Sequence, residues 1–194
     1  MIGEQREDGH WCYELEADWT IPSEYILMMH FCDEIDRARQ QLMARYIRRN
    51  QTEEGGWPLY CGGEVDLSCT VKAYYALKLA GEDPAAAHMV RARQTILIRG
   101  GAARANVFTR IMLAQFRQVP WRAVPFIPVE IMLLPRWFPF HLSKVAYWSR
   151  TVMVPLFSLM SMKVEARNPT HTHIAELFTT PPFQERDYFP SARG

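Results

Sequence analysis

His171 and His173 are spaced like two imidazoles that share a metal ion, yet the sequence around them supplies no third ligand and reads as a flexible tail. Cys12, Cys32, Cys61 and Cys69 lie in separate segments without a Cys-x-x-Cys pair. They read as free thiols of a reducing compartment. The chemistry that repeats is structural. Gln5-Arg6-Glu7-Asp8-Gly9-His10-Trp11 and Gln51-Thr52-Glu53-Glu54-Gly55-Gly56-Trp57 both have the form Gln-x-x-x-Gly-x-Trp, offset by 46 residues. A glutamine amide carries two donors and an acceptor, suited to backbone groups left orphaned at helix ends. Glycine permits a sharp turn, and tryptophan brings a large apolar surface with one N–H that needs a partner when buried. Gln5, Gly9 and Trp11, like Gln51, Gly55 and Trp57, are expected to clip one helix pair to the next, not to catalyse.

The elements that hold these clips follow the same period. Repeat one runs through a helix over 23–37, started by Pro22-Ser23, with Ile26, Leu27, Met29 and Phe31 ahead of the acidic Asp33-Glu34. Repeat two opens with a helix over 36–50. Leu42, Met43, Tyr46 and Ile47 mark its buried stripe, and Arg37, Arg39, Arg45, Arg48 and Arg49 its wet side. A helix over 66–80 packs through Val71, Tyr74, Tyr75, Leu77 and Leu79. A weaker third copy of the turn, Gly100-Gly101, separates helices over 85–99 and 106–117. Prolines then recur from Pro120 to Pro155 and break the chain into an apolar, aromatic loop with one helical turn near 129–134. A long helix over 142–162 follows, kinked near Pro155. This gives a domain over 1–162, with repeats near 5–50, 51–99 and 100–118 and then the loop and long helix, and a Pro-rich polar tail over 163–194.

A fixed period of this size means stacked helix pairs, none able to bury its apolar face alone. The fold class is all-α. A full helix precedes Gln51 but only four residues precede Gln5, and the end is loop chemistry, so a piece of a larger protein is expected. With 22 basic and 21 acidic side chains, charge gives no reason to propose nucleic acid as a partner. No apolar run approaches the roughly 18 residues needed to span a bilayer.

The doubled phrase resembles the QW motifs of triterpene cyclases. Gly100-Gly101-Ala102-Ala103-Arg104-Ala105-Asn106-Val107-Phe108-Thr109-Arg110 resembles bacterial squalene–hopene cyclases, as do Val119-Pro120-Trp121-Arg122-Ala123-Val124-Pro125, the run from Pro128 to Pro139, and Tyr147-Trp148-Ser149-Arg150-Thr151. The resemblance implies an α/α barrel (toroid) of QW-type helix pairs, incomplete here and paired in the whole enzyme with a missing C-terminal barrel. It implies squalene as substrate, cyclised to hopene or hopanol by an acid-initiated carbocation cascade without metal or organic cofactor. Aromatic faces attract cations without capturing them as water does. The family's acid comes from an Asp-x-Asp-Asp motif that these residues lack; the look-alike Asp33-Glu34-Ile35-Asp36 reads as a solvated helix end. No catalytic residue is expected in this segment, which alone should be inactive.

The resemblance assigns Trp148, Phe108, Ile111 and Glu24 to the substrate cavity, and Val145 and Met153 to the channel by which substrate enters. Ordinary core packing is the alternative for Trp148, Phe108, Val145 and Met153. For Glu24, which matches a carboxylate at the cavity end where the final cation is quenched, the alternative is a helix-start acid favoured by the dipole. Some relatives have an acid in place of Lys72 and a base in place of Asn106, so the detailed network does not transfer. Residues 131–140 could face a membrane or an absent barrel. A peripheral, monotopic position on the cytoplasmic side of a bacterial membrane is implied, and a homodimer of the full-length form stays open. The competing reading is a non-catalytic helical-repeat module that binds protein or lipid.

Overall fold

The computed structural model describes residues 3, 5–12, 18–125 and 127–189. The described residues form six α-helices: α1 (Thr20–Cys32), α2 (Arg37–Arg49), α3 (Leu67–Leu79), α4 (Ala87–Ile98), α5 (Val107–Gln115) and α6 (Tyr147–Met162). The chain is all-α in class. A two-residue antiparallel ladder, β1 (Trp57–Pro58) on β2 (Val65–Asp66), adds a clasp that periodicity did not anticipate.

Helix α3 is the hub. Every residue from Ser68 to Leu77 is buried, a burden only an enclosed helix carries, and α1, α2, α4 and α5 pack around it. Its start is fixed by Asp66, whose carboxylate accepts from the Cys69 N–H at 2.7 Å.

Two expectations for the first helices are corrected. Helix α1 begins at Thr20 rather than Ser23, because Asp18 accepts from the Thr20 N–H at 2.8 Å. Pro22 then falls in the first turn, where a missing N–H costs nothing. The helix stops at Cys32, well before residue 37: Asp33 takes the left-handed conformation at φ 62° and the N–H of Glu34 closes on Met29 O. The acidic cluster thus serves as punctuation, since Asp36 caps α2 through the Arg39 N–H at 3.0 Å.

On α2 the buried stripe is Gln40, Ala44 and Ile47, whereas Leu42 is 63% exposed and Tyr46 faces outward. Gln40 displaces the expected pattern because its amide oxygen meets His30 Nε2 at 2.8 Å inside the α1–α2 contact. A polar residue with a buried partner looks, in sequence, like a surface position.

The second clip is built as its composition suggests. The Gln51 amide donates to Gly55 O and to His88 O, both at 2.8 Å, and its oxygen accepts from Arg91 at 3.0 Å. The turn is thereby tied to the start of α4. The Trp57 indole is fully buried and donates to Ile47 O on α2 at 2.8 Å. Gly55 has φ +86°, and a Cβ there would stand 2.8 Å from Arg91 Cβ, so neither the conformation nor the space admits a side chain. In the first copy, Gln5 donates to Gly9 O at 2.6 Å and Gly9 has φ +90°, while Trp11 is 47% exposed.

After α5 the chain passes through a 3-10 turn at Val129–Leu133. The expected continuous helix over 142–162 is two pieces: a 3-10 turn at Leu142–Lys144, extended backbone at Val145 and Ala146, then α6, which runs on through Pro155. The segment beyond Lys163 returns across the ends of α1 and α5, with the N–H groups of Ala166, Arg167 and Asn168 donating to Gln115 O, Phe31 O and His30 O. It then docks on α3: Tyr75 donates to Thr172 O at 3.0 Å, and Glu176 meets both Lys78 and the Tyr74 hydroxyl. Ile174, Leu177 and Tyr188 are buried, so this polar stretch helps to close the core.

Candidate functional site

Glu24, Leu27, Met28 and Phe31 recur on α1 at intervals of three and four, which places them on one face. With Met112, Gln115 and Phe116 from the end of α5, and Leu159 of α6, they line an open apolar groove of about 280 Å³. Among the described residues on its wall, Glu24 alone is ionisable. Its Oε1 accepts from Lys72 Nζ, reaching out of α3, at 2.5 Å. The lysine side chain is 9% exposed and the glutamate side chain 49%. The pair therefore has a buried cation and a carboxylate that opens onto the groove. Glu24 stands in the second turn of α1, past the free N–H groups of the helix start, so the dipole accounts for little of its placement.

The remaining assigned residues spread over α5 and α6. Ile111 turns inward and belongs to the core cluster. Phe108, about one turn earlier, is 60% exposed on the outer side of α5. Trp148 is 71% exposed at the start of α6. Eleven residues separate Trp148 from Leu159, close to three full turns, so both share a face about 16 Å long, with Val152 between them. Met153 is half-buried on the same helix, and Val145 is half-buried in the extended link before it. The 3-4 spacing that would align Val145 with Trp148 does not apply, because the helix starts after Val145. Phe108 and Trp148 make no ring contact with each other among the described residues.

Two polar candidates, Cys69 and His173, resolve into structure. Cys69 is buried, and that burial pushes its thiol up to about 12, which removes it as a nucleophile. His173 lies against Gln118 through Nδ1 at 3.1 Å, and no group of three or more potential ligands for a metal occurs among the described residues. Gln118 also accepts from the Ile174 N–H at 3.0 Å, which fixes the returning segment. The flexible reading of the tail around the two histidines gives way to this packing.

Met28, Phe31, Met112, Phe116 and Leu159 escaped the sequence reading as groove residues. Their spacing was visible, but an apolar stripe facing a groove and one facing a core read alike. Lys72 was noted only as a departure from the family pattern.

Comparison with known proteins identifies the family. The family model for the squalene-hopene cyclase N-terminal domain matches residues 1–194. A squalene-hopene cyclase of Schizosaccharomyces japonicus is 54% identical over 94% of this chain and 28% of its own length. One of Zymomonas mobilis is 55% identical over 92% of the chain and 27% of its own length. That of Alicyclobacillus acidocaldarius is 36% identical over the whole chain and 30% of its own length. The chain thus spans less than a third of the curated relatives it matches. It belongs to the squalene-hopene cyclase N-terminal domain family.

Proposed function

We propose that this chain forms the N-terminal part of an enzyme that cyclises squalene to hopene or hopanol, supplying scaffold and part of the substrate cavity. The observation that carries the reading is the family match across all 194 residues. The helix pairs clipped by Gln51 and Trp57 are staves of an α/α barrel. Trp148, Phe108, Ile111 and Glu24 belong to the cavity, and Val145 and Met153 to the channel leading in. In support, large rings at Phe108 and Trp148 stand exposed on faces that suit cover by further protein. Their π faces would stabilise a passing cation without adding to it.

The sequence contains no Asp-x-Asp-Asp run, so the initiating proton comes from outside this chain, and the 194 residues alone are inactive. The cascade is intramolecular and uses a proton as its only catalyst. Its rate rests on a chain held ready to close and on the exclusion of water. Exposed Leu133, Trp137 and Phe140 beside Arg136 suit contact with the cytoplasmic surface of a membrane. No described helix is long and apolar enough to cross one. A homodimer of the full-length protein is compatible with this arrangement.

The test is incubation of squalene with protein from the full reading frame that carries this sequence, beside the 194 residues alone. The reading expects pentacyclic product from the first and none from the second. No product from the full frame overturns the activity, and product from the isolated chain overturns the assignment of the acid elsewhere.

A further inference from the structure

Resting on the cyclase reading, we propose that Arg110 is a positioning residue: it holds a strap of chain, residues 182–189, against the back of α5 and thereby fixes where Phe108, on the front, meets the substrate. Phe108, Met112 and Gln115 recur on α5 at spacings of four and three, so they share one face, and Met112 and Gln115 line the apolar groove. Arg110 follows Phe108 by two residues, about 200° around the helix axis, and so leaves from the opposite side. It is 6% exposed, yet it enters no ion pair among the described residues. The strap meets its charge instead. Nη1 donates to Tyr188 O, and the guanidinium carbon lies 4.6 Å from the centre of the Phe189 ring. Nε is buried with no hydrogen-bond partner among the described residues. A buried cation compensated by one carbonyl and one π face holds both firmly, because letting go leaves it unpaired in the interior.

Two further arginines grip the same strap. Arg122, in the 3-10 turn Trp121–Ala123, donates to Phe183 O and, at 3.3 Å, to Glu185 O. Arg104, just ahead of α5, donates to Asp187 O at 3.4 Å. Within the strap, the buried Tyr188 turns its hydroxyl back to Pro182 O at 2.6 Å, which closes the segment on itself. Arg104 and Arg122 are exposed and compete with water for these carbonyls, whereas Arg110 does not. The helix needs such an anchor. Its nine residues make about two and a half turns, too few to hold an orientation unaided. Helix α3 packs on one side of it, and the strap covers another. With the strap loose, α5 can roll and carry the Phe108 ring away from its place. A carbocation that loses its π partner is then discharged before the next ring closes. Either the electrons of a neighbouring C–H bond become a π bond as the proton passes to a base, or water forms a C–O bond and gives its surplus proton to a base. Both routes release products with fewer rings.

The experiment uses protein from the full reading frame with squalene. It reads the share of incompletely cyclised products, total consumption, and deuterium exchange of the peptide containing residues 183–189. Arg110→Met keeps an apolar stem and removes the charge. It should speed exchange of that peptide by about tenfold and raise the incomplete share by at least about fivefold, a small part of the hundredfold that a 1 Å misplacement can cost. Consumption should stay within about twofold, because the initiating acid is assigned outside this chain. Arg110→Lys, which retains a cation, should recover most of the parent's product spectrum. A purely structural role predicts faster exchange and lower consumption with the incomplete share unchanged, and that result overturns the positioning role while leaving the cyclase reading intact. Exchange equal to the parent's in folded Arg110→Met overturns the anchorage itself. Should that variant fail to fold, Phe189→Leu loosens the contact from the strap side and should raise the incomplete share by about twofold; an unchanged share there overturns the proposal. Absence of turnover by the parent protein overturns the cyclase reading, and this inference with it.

Discussion

Substituting the two motif glutamines by alanine gives a comparison that controls itself. Gln51 makes two amide donations, to Gly55 O and His88 O, and takes one from Arg91. The two carbonyls are part-buried, so each loses a partner that water replaces imperfectly, at about 0.5–1.5 kcal/mol apiece. The Arg91 contact is exposed and adds a few tenths of a kcal/mol at most. Gln51→Ala should therefore destabilise by about 1–3 kcal/mol. Gln5 makes one exposed donation, to Gly9 O, and Gln5→Ala should cost less than about 0.5 kcal/mol. For a chain of this length each kcal/mol corresponds to a shift of about 2–4 °C in melting temperature. Thermal unfolding followed by circular dichroism at 222 nm separates the two variants readily. Equal shifts, or a Gln51→Ala protein that melts with the parent, would refute the clip as an energetic element.

Two further outcomes follow from burial. Iodoacetamide at mildly alkaline pH should label Cys12, Cys32 and Cys61 in the folded chain, and Cys69 only after unfolding, because burial holds that thiol near 12; rapid native labelling of Cys69, read by peptide mass, would contradict its placement. At Glu176, burial by itself favours the neutral acid, but hydrogen bonds from Lys78, its own backbone N–H and Tyr74 outweigh that and lower its pKa. The unfolded carboxylate then protonates first as pH falls, so the stabilisation is complete above about pH 4.3 and disappears as pH drops through the folded value. Glu176→Gln should flatten the acid limb of a stability–pH curve; an acid limb as steep as the parent's would show that the latch carries no linkage.

The all-α class was legible because it rests on period and on glycine. The Gln-x-x-x-Gly-x-Trp repeat located the clip at Gln51 and Trp57, and the apolar residues of α3 marked a packed helix, though not that the other helices gather around it. Helix ends were less legible where side chains act as punctuation: Asp18 pulls the start of α1 forward and Asp33 stops it early. The stripe on α2 was misread at Leu42 and Tyr46 because a buried His30–Gln40 bond replaces an apolar contact. Ile174, Leu177 and Tyr188 looked like tail residues since their surroundings are polar, although distant partners on α3, at Gln118 and, for Tyr188, at Arg110 of α5 draw the segment in. Of the site, Glu24 was found through likeness. Its lysine partner lies 48 residues away, and no local pattern couples them.

The central claim is that the faces carrying Phe108 and Trp148 are interior walls of a larger enzyme. Maleimide labelling of a Trp148→Cys variant, read by mass at the peptide containing residue 148, tests it directly. The account predicts fast labelling in the 194-residue chain, where position 148 is exposed, and strong protection in protein from the full reading frame, increased further by squalene. Equal reactivity in the two proteins, unaffected by squalene, would contradict it.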